Sequence, residues 1–210
     1  MVRAETAGPS DAETLLTRRA LMLASLALPM AAGSARADDA VLVFINQASR
    51  DLIGIVNGNG TAEQKQKDMQ VVIDRTVDVA AVAQFCLGRF WRTATAEQRQ
   101  TYVQLFHRVL LKSITGKLGE FKGVTVQIGK STPRDADTGV ASVVSRPNAA
   151  PANVEWLVST ASGTPRIVDV IAEGTSMRLT QRSDYAAFLN QHGSSVDALI
   201  AALKQQADAG

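Results

Sequence analysis

A single cysteine, Cys86, in 210 residues leaves no disulfide to form within the chain, so core burial alone must hold the fold. The two histidines, His107 and His192, stand isolated and do not make a metal site. Charge of one sign is also missing. The 22 basic and 20 acidic side chains give a formal net charge of +2, too weak a field to argue for nucleic acid through its phosphates, although a local basic patch stays open. No apolar run is long enough to cross a bilayer, and the best, Ala20 to Ala32, is too short.

Catalytic signatures are absent as well, with no G-x-S-x-G elbow and no H-E-x-x-H pair. "GVTVQIGKS" (123–131) imitates a phosphate loop, but the five residues between Gly123 and Gly129 are one too many. Its interior alternates like a strand, whose N–H groups belong to a ladder. No nucleophile, base and orienter can be assembled, so neither enzyme activity nor a cofactor is expected. Two features keep sharper alternatives open. Asp169 and Glu173 lie four apart, which in a strand puts both on one face as a conceivable acid/base pair, although such carboxylates more often cap, salt-bridge or face water. Cys86 could be a nucleophile, but it sits in the apolar helical run "VAAVAQFCLG", where a buried, inert thiol is the commoner outcome.

The composition that remains, 46% hydrophobic and 20% charged, suits one globular domain. The first 37 residues read as an address, with Arg18 and Arg19 before the apolar run and Ala35-Arg36-Ala37 fitting an A-x-A cleavage site. Thr17-Arg18-Arg19-Ala20-Leu21-Met22 also resembles a twin-arginine signal, so both export routes stand. Residues 1–37 are therefore expected to be a cleaved export signal and 38–210 a mature domain soluble in the periplasm. Without Arg3, Arg18, Arg19 and Arg36, and without Glu5, Asp11 and Glu13, the count is 18 basic against 17 acidic residues.

Helices come first in the mature chain. Val41, Phe44, Ile45, Ala48, Leu52 and Val56 recur at helical spacing until "NGNG" (57–60) stops them. Thr61 with Gln64 predicts a capping box for a second helix, and Asp78 a cap for a third that Gly88 breaks. Thr95 with Gln98 predicts another box, launching the longest helix along Tyr102, Phe106, Val109, Leu110, Ile114, Lys117 and Phe121. From Gly123 the period changes to two, predicting strands near 123–130, 139–146, 152–160 and 166–172, divided by "TPRDADTG", "RPNAAPA" and "SGTP". Helices then resume under Ser183 and under Ser194 or Ser195. Helices, then about four strands, then helices indicate an α+β fold with an antiparallel sheet.

Two blocks, "LGRFWRTATAEQRQTYVQLF" and "VDVIAEGTSMRLTQRSDYAAFL", carry a family pattern. They place a G-R-x-W corner before a T-x-E-Q-R helix start, then a strand, "EG" and an R-S-D helix start. In this the chain resembles the MlaC, or toluene-tolerance, family of periplasmic phospholipid-binding proteins over most of its mature length. The resemblance implies a curved sheet and long helices enclosing an apolar cavity for acyl chains. It implies a carrier that shuttles phospholipid between an inner-membrane ABC transporter complex with an MCE-domain protein and an outer-membrane lipoprotein complex, maintaining outer-membrane lipid asymmetry. A monomer is expected, with phospholipid as cargo.

On that resemblance the cavity is expected between the long helix and the sheet. Phe90, Trp91, Tyr102, Phe106, Val109, Leu110 and Ile114 would line it from the helical side, and Val154, Trp156, Val158, Ile167 and Ile171 from the sheet. Gly88 would let the chain turn, while Arg89 and Arg92 would stay at the rim to meet a phosphate or a partner's carboxylate. Pro165 and Arg166 stand where members tend to place an aromatic, which implies one remodelled wall. The alternative is a periplasmic adaptor whose apolar core is full.

Overall fold

The computed structural model describes residues 32–209, with side chains from Asp39 onward. The export signal expected over residues 1–37 lies outside the described residues except for its last six, which begin the first helix. That helix, α1 (Ala32–Asn57), ends where the Asn57 side chain donates to Val124 O (3.1 Å) and accepts from Gly123 N–H (2.7 Å), tying it to the start of the sheet.

Helix α2 (Ala62–Thr76) begins under Thr61, whose hydroxyl accepts from Gln64 N–H at 3.2 Å. Only this half of the expected capping box forms, because the Gln64 amide instead donates to Asp68 at 2.9 Å. Asp78 caps α3 (Val79–Leu87) as expected, accepting from Ala81 N–H at 2.9 Å. Gly88 then turns the chain at φ +59°, a conformation open to glycine, into the single turn α4 (Phe90–Thr93). Both halves of the box at Thr95 and Gln98 are present at the start of α5 (Ala96–Thr115). Helix α5 does not run to Phe121, as its apolar spacing predicted. Gly116 and Gly119, both poor helix formers, end it, and Leu118–Phe121 forms a 3₁₀ turn. At 26 residues against 20, α1 and not α5 is the longest described helix.

Five antiparallel strands follow in chain order as a meander: β1 (Thr125–Arg134), β2 (Asp137–Ser145), β3 (Ala152–Ser159), β4 (Arg166–Ala172) and β5 (Thr175–Ser176). "TPRDADTG" is mostly strand rather than an open connection. Arg134 pairs with Asp137 across a two-residue turn in which Asp135 adopts φ +54°. The register shifts between Ile128 and Ser131 on β1, and again between Leu157 and Val158 on β3.

The chain closes with α6 (Met177–Gln191) and α7 (Val196–Asp208). Ser195 caps α7, one of the two candidates, but α6 starts under Ser176 and not Ser183. The Ser176 hydroxyl accepts from Leu179 N–H at 3.1 Å and is itself anchored by donating to Asp169 at 2.5 Å, whereas Ser183 is mid-helix.

Three apolar clusters result. The largest joins α3, α4, α5, α6 and α7 around Tyr102, Phe106 and Tyr185, whose rings meet edge to face or tilted at 6.0 to 6.4 Å. In a second, α1 lays Val41 and Ile45 on Val140, Val158 and Ile167 of the sheet. The third is a junction where Val56, Met69, Ile73 and Val124 are buried beneath half-buried residues of α1, α5 and the first two strands.

Candidate functional site

At the α3–α4 corner Phe90 is buried in the helical core and Trp91 half-buried against it. The Trp91 ring is covered by Arg99, whose guanidinium lies 5.3 Å from the ring centroid while Nε donates to Trp91 O at 2.8 Å. Arg99 is the arginine of the T-x-E-Q-R pattern, but nothing in the sequence marks it as the cover of Trp91. Arg89 is exposed but engaged, donating to Asn190 Oδ1 at 2.8 Å and resting 4.8 Å over Phe90. The Arg92 guanidinium is exposed, with no ion-pair partner among the described residues.

Deeper in the same core, Tyr102 is fully buried and its hydroxyl donates to Ala83 O at 2.9 Å. Burial pushes its ionisation far above the ordinary phenol range, with a smaller contribution from Tyr185, so this polar atom stays a neutral donor. Phe106 and Val109 are buried beside it. Leu110 reaches both this core and the junction, and Ile114 lies in the junction.

The sheet-side residues meet a different helix. Val158 and Ile167 are buried under α1, with Trp156 packed at their margin. Trp156 Nε1 donates to Ser142 Oγ at 2.9 Å, and Ser142 Oγ to Val154 O at 2.9 Å, which satisfies the indole inside an apolar wall. Val154 is half-buried two residues from Trp156. Ile171 parts from this set. Leu157 pairs with Asp169 but Val158 with Ile167, so Val168 is an extra residue on β4 that inverts the alternation. Ile171 therefore pairs with Glu155 and faces away from the Trp156 side, although Ile167 and Ile171 share a parity in sequence. The expected helical and sheet-side residues are thus not gathered into one surface. Helix α1 takes the place opposite the sheet that was expected of α5.

Asp169 and Glu173 do not form an acid/base pair. Asp169 is buried and accepts from Val170 N–H (2.8 Å), Arg178 N–H (3.0 Å) and the Ser176 hydroxyl, with Arg178 Nε at 3.5 Å. Glu173 lies in the β4–β5 turn at φ +48° and accepts from Asn153 N–H. Cys86 donates to Arg178 O at 3.6 Å, and burial, helped by the Asp169 charge, pushes its thiol up to about 12. Cys86 is thus expected to be unreactive. At pH 8 its thiolate fraction falls roughly a thousandfold below that of an exposed cysteine. Alkylation of the native protein should be correspondingly slow and become complete on addition of denaturant; rapid native labelling would contradict the assignment.

Two of the clefts formed by the described residues bear on the site. The first, about 490 Å³, lies between the end of α1, the start of α2, the end of α5 and the 3₁₀ turn, and is lined by Val56, Leu118, Lys65, Lys112 and Lys122 among others. The second, about 560 Å³, lies between α2, α5 and the loop before β4. Part of its polar lining joins those elements. Arg166 donates to Asp74 O and Arg75 O at 2.9 and 2.7 Å, and His107 Nε2 is 2.7 Å from Asp74 Oδ1 without the geometry of a hydrogen bond. His192 closes α6, stacked on Phe188 at 4.0 Å. Among the described residues no group of three metal-ligating side chains occurs, and no helix is long and apolar enough to cross a membrane.

Comparison with known proteins follows the same outline. Residues 46–205 match the family described as MlaC protein. Among solved structures, the phospholipid-binding protein from Ralstonia solanacearum, in complex with a phospholipid, is similar with a TM-score of 0.71 and 22% sequence identity. The match covers 80% of this chain and 96% of that one.

Proposed function

This chain belongs to the MlaC protein family, and on that premise we propose that it is a phospholipid-binding carrier of the periplasm. The family match over residues 46–205 is the observation that carries the reading, because it spans α5, the whole sheet, α6 and most of α7. The shared fold with a protein that holds a phospholipid supports it. The carrier exchanges lipid with an MCE-domain ABC transporter complex of the inner membrane and an outer-membrane lipoprotein complex, and so maintains outer-membrane lipid asymmetry. Its near-neutral mature surface suits weak docking and release as a monomer. Residues 1–37 direct export and are removed after Ala37.

The acyl chains lie in the junction between α1, α5 and the first two strands. There only four buried apolar residues are accompanied by twelve half-buried ones, while the helical core has fourteen against eight. Half-buried side chains such as Leu110, Ile114, Val126 and Val144 can part around a chain at lower cost than a filled core can. Phe90, Trp91, Tyr102, Phe106 and Val109 then form the wall behind Leu110, and Val154, Trp156, Val158 and Ile167 the sheet under α1. Ile171, on the other face, supports the sheet from behind. Each methylene removed from water contributes about 0.8 kcal/mol, so two long chains would be held without any headgroup contact.

The dense packing around Tyr102, with α1 seated on the sheet, favours a second reading, an adaptor whose core holds no lipid. Solvent extraction of the purified protein followed by mass spectrometry separates the two. Near-stoichiometric phospholipid is expected. Protein that is lipid-free as purified, and takes up none from vesicles, would leave the adaptor.

A further inference from the structure

We infer that the lysine-rimmed cleft at the ends of α1 and α5 holds the phosphate of an anionic headgroup, so that the protein prefers phospholipids of net negative charge. This rests on the phospholipid-binding reading above. The charged lining residues of that 490 Å³ cleft are Lys65, Lys112 and Lys122, and no carboxylate lines it. Two of the three are held in place. Lys65 Nζ donates to Val56 O at 2.8 Å and Lys112 Nζ to Gln206 O at 2.9 Å, both side chains being half-buried. An ammonium has three donors, so each keeps two for a ligand at little further loss of side-chain freedom.

Negative groups that would oppose an anion there are already engaged. At the end of α5, Leu111 O accepts from the Thr115 hydroxyl, Lys112 O from Gly116 N–H and Ile114 O from Lys117 N–H. Glu63, in the first turn of α2, is 3.1 Å from Lys67. The floor of the cleft is apolar and continuous with the junction, because Val56 and Leu118 belong to both. A positive mouth over an apolar interior matches an anionic amphiphile end to end. Neither Arg89 nor Arg92 lines either described cleft, so the proposed headgroup position is at the lysines rather than at the α3–α4 corner.

The test is competitive loading of the delipidated protein from vesicles of equal parts phosphatidylglycerol and phosphatidylethanolamine, read as the bound ratio by mass spectrometry. The protein should enrich phosphatidylglycerol roughly fivefold, the scale of a few partly screened charge contacts. K65Q/K112Q/K122Q should return the ratio to that of the vesicles, and K112R should keep the enrichment, which sets charge apart from folding. Uptake of both lipids at the vesicle ratio would overturn the headgroup assignment and leave lipid binding standing. No uptake of either would overturn the carrier reading itself. Inorganic phosphate that shifts the amide resonances of Gly116 and Gly119, combined with unselective lipid uptake, would assign the cleft to free phosphate and also overturn the inference.

Discussion

Replacing Asp169 by alanine is expected to lower the free energy of unfolding by about 3–5 kcal/mol, enough to unfold a marginal domain. Asp169 is 6% exposed, yet it accepts two backbone N–H groups and a hydroxyl and offsets the charge of Arg178. Truncation would leave the N–H groups of Val170 and Arg178 without their acceptor and the Arg178 guanidinium without its counter-charge. It would also free the Ser176 hydroxyl that caps α6, so the helix start and the strand would lose their common anchor. Asp169→Asn keeps the shape and one acceptor and should cost about half as much. Urea denaturation followed by circular dichroism measures both. A loss below about 1 kcal/mol for the alanine variant, typical of a surface site, would show that the anchor is dispensable.

Tyr102→Ala should be nearly as severe, at about 3–5 kcal/mol, because the ring is completely enclosed between Phe106 and Tyr185 and the chain around it cannot collapse. Tyr102→Phe removes only the hydroxyl that donates to Ala83 O and should cost about 1 kcal/mol. The pair of variants also reads out what the aromatic group is for. A residue lining a lipid cavity would leave the stability of lipid-free protein almost unchanged when truncated and would alter copurifying lipid. A residue of the filled core does the reverse, and that is the expected outcome here.

The secondary structure was legible wherever a local signal fixes it. Thr95 with Gln98, Asp78 and Gly88 each specify a boundary through contacts within a few residues, and all three act as expected. Signals that depend on distant partners were not legible. Ser176 became the α6 cap through Asp169, seven residues away across a turn, while Ser183 had the same local chemistry and no partner of that kind. The pairing of faces was the least legible. Helices α1 and α5 both present apolar residues at helical spacing, and nothing local says which of them will lie on the sheet. A single extra residue, Val168, was enough to turn Ile171 to the opposite face, because strand alternation has no memory across a bulge. The lysine cleft escaped for a related reason. Lys65 lies in α2, Lys112 in α5 and Lys122 just past the 3₁₀ turn, and they share nothing in sequence.

The first strand has a consequence for life among other proteins. As the outermost member of the meander, β1 presents ten residues whose far side pairs with no described strand, an invitation to strand addition by another chain. The irregularity between Ile128 and Ser131 interrupts that edge near its middle, next to the charge of Lys130, and Pro133 removes a donor near its end. An interrupted register, a charge and a proline are the devices by which an exposed strand edge is made a poor template for another chain.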